Sequence, residues 1–277
     1  MIQIKEVLSG NSGYSFFFTC IGKKYQNIFK NITLPFYKKY CKKYDIGIIT
    51  INTFIDKNYY KNNVYARDPG YQRLLAPSLI QKKFPKYKII CDIDTDCIPG
   101  FFARNIFEKL KKMKKNEIYL TKPVPLNFSQ KNLGKRISLL RKLYISNKFP
   151  LDSVIIASNS ERSKMFGYDN MGTSPTIGTC LASTSTLAKT GRKFYRDILL
   201  HQKFEYLQDY RFNYYKKNFK VKWLPYEFQA GWNYEMCIYY PFLYIKKFRK
   251  YFFECIISTL HRVDFLHFAG SWPENSF

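Results

Sequence analysis

Apolar runs and polar breaks alternate along this chain at lengths that suit strands and helices in turn. Tyr14 to Ile21, YSFFFTCI, has the length and aromatic content of a buried strand, and Gly22, Lys23 and Lys24 close it. Tyr25 to Tyr44 carries Ile28, Phe29, Ile32, Phe36 and Tyr40 at helical spacing, with Pro35 marking a kink or a restart. Asp45 to Ile51 reads as a second strand, Tyr71 to Pro77 as an amphipathic helix and Tyr87 to Cys91 as another buried strand. Farther on, Phe101 to Lys115 and Gly134 to Tyr144 read as helices with basic outer faces. Glu117 to Leu120 and Val154 to Ala157 read as strands. Ser185 to Lys217 is helical in spacing, with Leu199, Leu200, Phe204 and Leu207 inward, and Asp56 to Asp68 and Glu161 to Thr176 read as polar loops. This alternation predicts an α/β fold, in which ligands bind in the crevice at the carboxyl ends of the strands.

The candidate chemistry is concentrated in Lys88 to Ile98, KIICDIDTDCI, where an apolar strand runs straight into acids. Asp92, Asp94 and Asp96 recur at every second position, so in extended conformation all three point the same way. Three carboxylates at one edge repel each other unless something positive sits among them, and a divalent cation is the simplest candidate. All-oxygen ligation suits Mg²⁺ or Mn²⁺, which take one or two carboxylates together with the oxygens of a substrate diphosphate. An isolated D-x-D is also what a solvated strand end looks like, so the flanking sequence must decide.

Charge changes the picture. Lys and Arg number 46 against 20 acids, a net charge of +26 distributed through the whole chain, which implies anionic partners: nucleic acid, anionic lipid or nucleotide diphosphates. AT-rich coding sequence would also enrich Lys, Asn, Ile, Tyr and Phe, and no zinc-finger spacing or RNA-binding signature is present. The seven cysteines form no C-x-x-C pair and several lie in apolar runs, which predicts reduced, buried thiols in a cytosolic setting. No signal segment or membrane-spanning run is visible, so a soluble or peripheral protein is expected. Between Phe242 and Arg262, Ile245, Phe248, Phe252, Ile256 and Leu260 form one helical stripe beside Lys246, Lys247, Arg249 and Lys250. Such a helix either lies in an anionic membrane interface or packs on the core.

Tyr71-x-Arg73-Leu74, a helix, and then Ile89-Ile90-x-x-Ile93-Asp94-Thr95-Asp96 resemble the metal-binding core of GT-A nucleotide-sugar glycosyltransferases, family 8 in particular. The resemblance implies a GT-A-like, Rossmann-like mixed sheet flanked by helices, in a single domain over residues 1–277 with a basic amphipathic segment at about 236–262. It implies that Asp94, Asp96 and His267, in the segment Asp264 to Trp272, hold Mn²⁺ or Mg²⁺, with Asp92 an extra acid. Thr19, Tyr25, Arg73, Asp94, Gly178 and Gly270 would contact the nucleotide-sugar. Asp209 and Gln208 match the catalytic segment with acid and amide exchanged, and Ser271 and Trp272 stand where the family has a lysine.

The activity implied by the resemblance is transfer of a hexose-type sugar from a UDP-linked donor to a saccharide or lipid-linked acceptor in surface glycan synthesis, with retention of configuration. The setting would be cytoplasmic, or peripheral on the cytoplasmic face of the inner membrane. Two other classes compete: a metal-dependent phosphatase of haloacid-dehalogenase type, and a non-enzymatic protein binding nucleic acid or an anionic surface. Against the phosphatase, the fifth position of its loop is Asp96 or Ile98, not Thr or Val.

Overall fold

The computed structural model describes residues 4–56, 69–145, 179–201 and 215–268. In chain order they form β1 (Ile4–Leu8), β2 (Tyr14–Thr19), α1 (Lys23–Ile28), a π-turn (Phe29–Thr33), α2 (Leu34–Tyr44) and β3 (Gly47–Ile51). Then come α3 (Pro69–Gln72), α4 (Ala76–Lys83), β4 (Ile89–Ile93), β5 (Cys97–Pro99), β6 (Glu117–Thr121) and α5 (Gln130–Tyr144). The remainder is β7 (Thr179–Ser183), α6 (Thr184–His201), β8 (Lys220–Leu224), β9 (Ala230–Gly231), α7 (Trp232–Tyr239), α8 (Phe252–Arg262) and β10 (Phe265–His267). The expected strand at 154–157, the loop at 161–176 and residues 204–209 lie outside the described residues, as does most of the loop at 56–68.

These residues pack as two compact units. The first holds a seven-stranded sheet of order β1-β3-β2-β4-β7-β6-β8. β2 runs parallel to both β3 and β4, whereas β7 is antiparallel to β4 and β6. Strand alternation divides the aromatic residues of β2 between two layers. Phe16 and Phe18 meet Tyr37 edge-on, with centroids 5.0 and 4.8 Å away, while Phe17 faces the opposite core of Leu74, Ile80, Ile90, Leu187, Phe194 and Tyr215.

Three expectations are corrected in this unit and at its margins. β1, a short I-K-E-V-L alternation, adds an edge strand antiparallel to β3 that the reading from Tyr14 onward omits. The helix over 25–44 exists but contains a π-turn, in which the Leu34 N–H bonds to the Phe29 carbonyl. Phe29 and Tyr40 are buried as expected, but the extra residue in that turn also brings Thr33, Tyr37 and Cys41 inward and leaves Ile32 exposed. Phe101 to Lys115 is not a helix: it runs through turns with one 3-10 turn at Glu108–Leu110. Side chains take over the backbone donors there, since Asp264 accepts from the Arg104 N–H at 2.7 Å and Asn105 Oδ1 accepts from the Phe107 N–H at 3.0 Å.

The second unit is built on the three-stranded sheet β5-β10-β9. α8 buries Phe252, Cys255, Ile256, Thr259 and Leu260 in it, and Leu133 and Ile137 of α5 meet Cys237 of α7. The expected continuous helix over 242–262 is therefore replaced by 3-10 turns at Pro241–Tyr244 and Lys246–Tyr251, followed by α8. Of the apolar stripe, Phe252, Ile256 and Leu260 are buried in the unit's own core, and Ile245 and Phe248 are half-buried, so of the two alternatives it is packing on the core that the structure shows. No helix among the described residues is long and apolar enough to cross a membrane. All seven cysteines are free and buried, and burial pushes the Cys20 thiol up to about 12.

β10 can reach β5 because Gly100 follows it: a Cβ at that position would lie 2.1 Å from the Val263 carbonyl oxygen. The Gly100 N–H also donates to the Asp264 carbonyl at 2.8 Å. Gly100→Ala is accordingly expected to destabilise the protein by about 1–3 kcal/mol through overpacking against backbone. Urea unfolding checks this, and an unchanged midpoint would show that the close approach is dispensable.

Candidate functional site

The helix expected over Tyr71 to Pro77 is broken, and Arg73 sits at the break between α3 and α4. Pro77 explains it: a continuous helix would drive the proline ring into the Arg73 carbonyl and leave that carbonyl without its i+4 donor. The turn is held by the Leu74 and Leu75 N–H groups, which donate to Tyr71 and Gln72 carbonyls at 3.1 Å. Gly191 of α6 lies against it, since a Cβ there would fall 2.0 Å from the Leu74 oxygen.

From this turn Arg73 reaches the end of β4. Its Nε donates to Asp92 Oδ1 and Oδ2 at 2.8 and 3.0 Å, Nη2 lies 2.7 Å from Asp92 Oδ1, and Nη1 donates to Asp94 Oδ1 at 2.6 Å. Asp92 is 3% exposed. Burial pulls the arginine pKa down, yet the charges of Asp92 and Asp94 outweigh it and hold the guanidinium above its ordinary value. The positive charge that the acids call for is thus supplied for two of them by the protein itself.

β4 extends to Ile93, two residues beyond the expected strand, because Ile93 pairs with Thr179 and Asp92 with Phe17. Asp92 is therefore within the strand, Asp94 just past it, and Thr95 and Asp96 turn the chain into β5. The three acids do not form one extended row. The turn is anchored by Thr33, whose hydroxyl donates to the Thr95 carbonyl at 2.5 Å. That contact depends on the π-turn, which brings Thr33 to the buried face.

At the same end of the sheet, Thr19 closes β2 and Thr179 opens β7. Their Oγ1 atoms are buried with no hydrogen-bond partner among the described residues. Unpartnered buried hydroxyls are costly and are commonly satisfied by a ligand or water. Tyr25 stands on α1 just after this edge, 45% exposed.

In the second unit, register places His267. β10 pairs antiparallel with β5 so that His267 lies opposite Cys97, and the Phe268 N–H donates to the Asp96 carbonyl at 2.9 Å. His267 Nε2 is 3.3 Å from Asp96 Oδ1, and Nδ1 is 3.1 Å from Gln229 Nε2. Gln229 Oε1 in turn accepts from the Thr121 hydroxyl. Arg104 clamps the start of this strand through three side-chain hydrogen bonds to Asp264.

Of the residues singled out from the sequence, Arg73 is brought to Asp92 and Asp94, and Asp96 to His267. One residue, Thr95, separates the two acids Asp94 and Asp96. Gly178, Gln208, Asp209 and Gly270 lie outside the described residues. By donor type, the carboxylates of Asp94 and Asp96 and the imidazole of His267 could hold a divalent metal ion. Thr33, Thr121 and Gln229 escaped the sequence reading. Pro35 inside a helix was the available signal for Thr33; Thr121 and Gln229 carry none.

No protein-family model matches the sequence, and no curated protein resembles it in sequence. Solved structures do share its fold. A glycosyltransferase involved in the glycosylation of the major capsid of PBCV-1 aligns over 94% of this chain and 95% of its own, with TM-score 0.55 and 9% identity. WbbM, a bifunctional glycosyltransferase solved in its apo form, aligns over 96% of this chain with TM-score 0.50 and 13% identity. This chain spans 47% of that second protein. At such identities the likeness establishes the fold, which is the mixed, helix-flanked sheet of GT-A-type glycosyltransferases.

Removing Arg73 strands a buried carboxylate, so Arg73→Met is expected to cost about 3–5 kcal/mol of stability. Adding Asp92→Asn to Arg73→Met should recover a large part of that loss in urea titrations. Additive destabilisation by the two changes would show that the pair is not the coupled unit described.

Proposed function

We propose that the protein is a metal-dependent glycosyltransferase that moves a hexose-type sugar from a UDP-linked diphospho-sugar to a saccharide or lipid-linked acceptor. The observation that carries this reading is the GT-A-type fold, matched along nearly the whole length of a glycosyltransferase, with acids at the carboxyl end of β4. In the reaction the anomeric C–O bond to the diphosphate breaks, its electron pair leaving on phosphate oxygen. A new C–O bond forms to the acceptor oxygen, whose proton passes to the departing phosphate oxygen. Asp94, Asp96 and His267 would hold the ion, which when bound would offset charge on the departing diphosphate. Thr19, Tyr25, Gly178 and Gly270 would contact the donor, and Asp209 with Gln208 would face the sugar, with retention of configuration. Arg73, held on Asp92 and Asp94, would fix the carboxylate of Asp94 rather than grip the phosphates.

The phosphatase reading loses ground on geometry. Read from Asp92, its nucleophile would be buried and would receive Arg73 on both oxygens, which works against attack on a substrate.

Asp94→Asn and Asp96→Asn are each expected to abolish Mn²⁺-dependent binding of UDP-sugars, as read by titration calorimetry. Proton NMR of the product should then show the donor's anomeric configuration retained. Donor binding that survives in both variants would remove the metal assignment, and an inverted anomer would remove retention.

A lipid-linked acceptor is supported by the outward face of α8, opposite the buried stripe. Phe253 and Ile257 are 64% and 50% exposed. One turn on, His261 carries Phe101 and Phe102 against its ring, with centroids 4.8 and 5.5 Å away. Lys246, Lys247 and Lys250 are exposed just ahead of this row, and each basic residue near an anionic leaflet adds about 1 kcal/mol of attraction. Flotation with phosphatidylglycerol vesicles at low salt should retain the wild type and release Phe253→Ser/Ile257→Ser. Equal retention of both would exclude this face as the lipid contact.

A further inference from the structure

Within the second unit, Thr121, Gln229, His267 and Asp96 form a continuous line of polar side chains. The Thr121 hydroxyl donates to Gln229 Oε1, Gln229 Nε2 faces His267 Nδ1 at 3.1 Å, and His267 Nε2 faces Asp96 Oδ1 at 3.3 Å. Thr121, Gln229 and His267 are all buried, at 2, 6 and 8% exposure, so their partners are set by the protein rather than by bulk water.

The orientation of the Gln229 amide has a consequence for the ring. An amide N–H can only donate, so the Nδ1 it faces must be bare, and a neutral imidazole then carries its proton on Nε2. That proton points at Asp96. In this state Nε2 has no lone pair for a cation. For His267 to ligate through Nε2, the proton must sit on Nδ1, and Gln229 must turn its oxygen toward the ring. The amide NH₂ then faces Thr121, and a hydroxyl is the side-chain group that serves both arrangements, donating in one and accepting in the other. A carboxylate at 121 could not accept this exchange without protonation, and an aliphatic residue would leave the amide unpaired in either orientation.

We infer that Gln229, backed by Thr121, is a positioning residue that sets the tautomer of His267 by a half-turn of its amide. One orientation pairs His267 with Asp96; the other opens Nε2 to a divalent cation. This inference rests on the metal reading proposed above. Outer partners of ligating histidines commonly change metal affinity by about 10–100-fold, and that range is expected here.

The test combines Mn²⁺ titration calorimetry with nitrogen-15 NMR of the three histidines, using diamagnetic Mg²⁺ for the spectra and His267→Asn for assignment. Without the ion His267 should be the Nε2–H tautomer, and Mg²⁺ should convert it to Nδ1–H. Gln229→Leu should bind Mn²⁺ about 10–100-fold more weakly. Gln229→Glu, which can only accept, should keep the proton on Nδ1 with or without the ion and bind at least as tightly as wild type. Persistence of Nε2–H in the loaded protein, or a Gln229→Glu ring identical to wild type in the ion-free state, would overturn the inference. The Gln229→Glu spectrum decides even if Gln229→Leu fails to fold. Should Asp96→Asn abolish Mn²⁺ binding while Gln229→Leu leaves it unchanged, the relay fails and the metal reading stands. A wild-type protein that binds no Mn²⁺ would sink both.

Discussion

Most of what is distinctive in the first unit depends on keeping one carboxylate, Asp92, ionically paired inside a sheet. Removing such a group from water costs several kcal/mol, and the attraction of a well-placed guanidinium offsets that only when the geometry is good. Arg73 meets the requirement with both Nε contacts to Asp92 and a further donor on Asp94. The break between α3 and α4, the proline that causes it and the bare Cα of Gly191 beside Leu74 all serve to hold that one side chain at the end of β4. An arginine that is both buried and doubly paired has little freedom to follow a ligand. It is better suited to fixing the acids than to sampling the crevice.

The turn after β4 is fixed by a second device, this one built from backbone. Inserting one residue as a π-turn rotates everything after Phe29 on the helix, and the residue brought inward is a threonine whose hydroxyl reaches the Thr95 carbonyl. Pro35 sits two residues later, where its missing N–H makes the ordinary i to i−4 pattern impossible to sustain. The insertion thereby falls where the helix would be interrupted anyway. Asp94 and Asp96 flank the anchored carbonyl, so the helix helps fix the geometry of a strand end far from it in sequence.

In the second unit the same economy appears in β-pairing. Three residues of β10 suffice to set His267 opposite Cys97, beside Asp96, because Gly100 admits the neighbouring backbone and Arg104 clamps Asp264 at the strand's start. Charge on the surface is a separate matter. The excess of +26 is consistent with an anionic donor, an anionic surface or both, and steers without choosing between them.

By itself the sequence determined the alternation of strands and helices, the apolar character of β2, β3 and β4, the buried thiols and the acid-rich strand end, because each of these is a local property. Length, period 2 or 3.6 and residue type are enough to read them. It also indicated through resemblance that a strand would return His267, and such a strand is present. The tertiary structure alone decided which acid meets which base. The sequence spacing of Asp92, Asp94 and Asp96 looks uniform, but partners from residue 73 and residue 267 separate them, and ends of strands are set by neighbours rather than by their own composition. The same limit accounts for the absent helix after Phe101, where Asp264, 160 residues from Arg104, captures donors that a helix would have used. It accounts too for the stripe on α8, since an apolar face at helical spacing looks alike whether it meets lipid or its own core. Only packing distinguishes them, and here the packing turned Phe252, Ile256 and Leu260 inward.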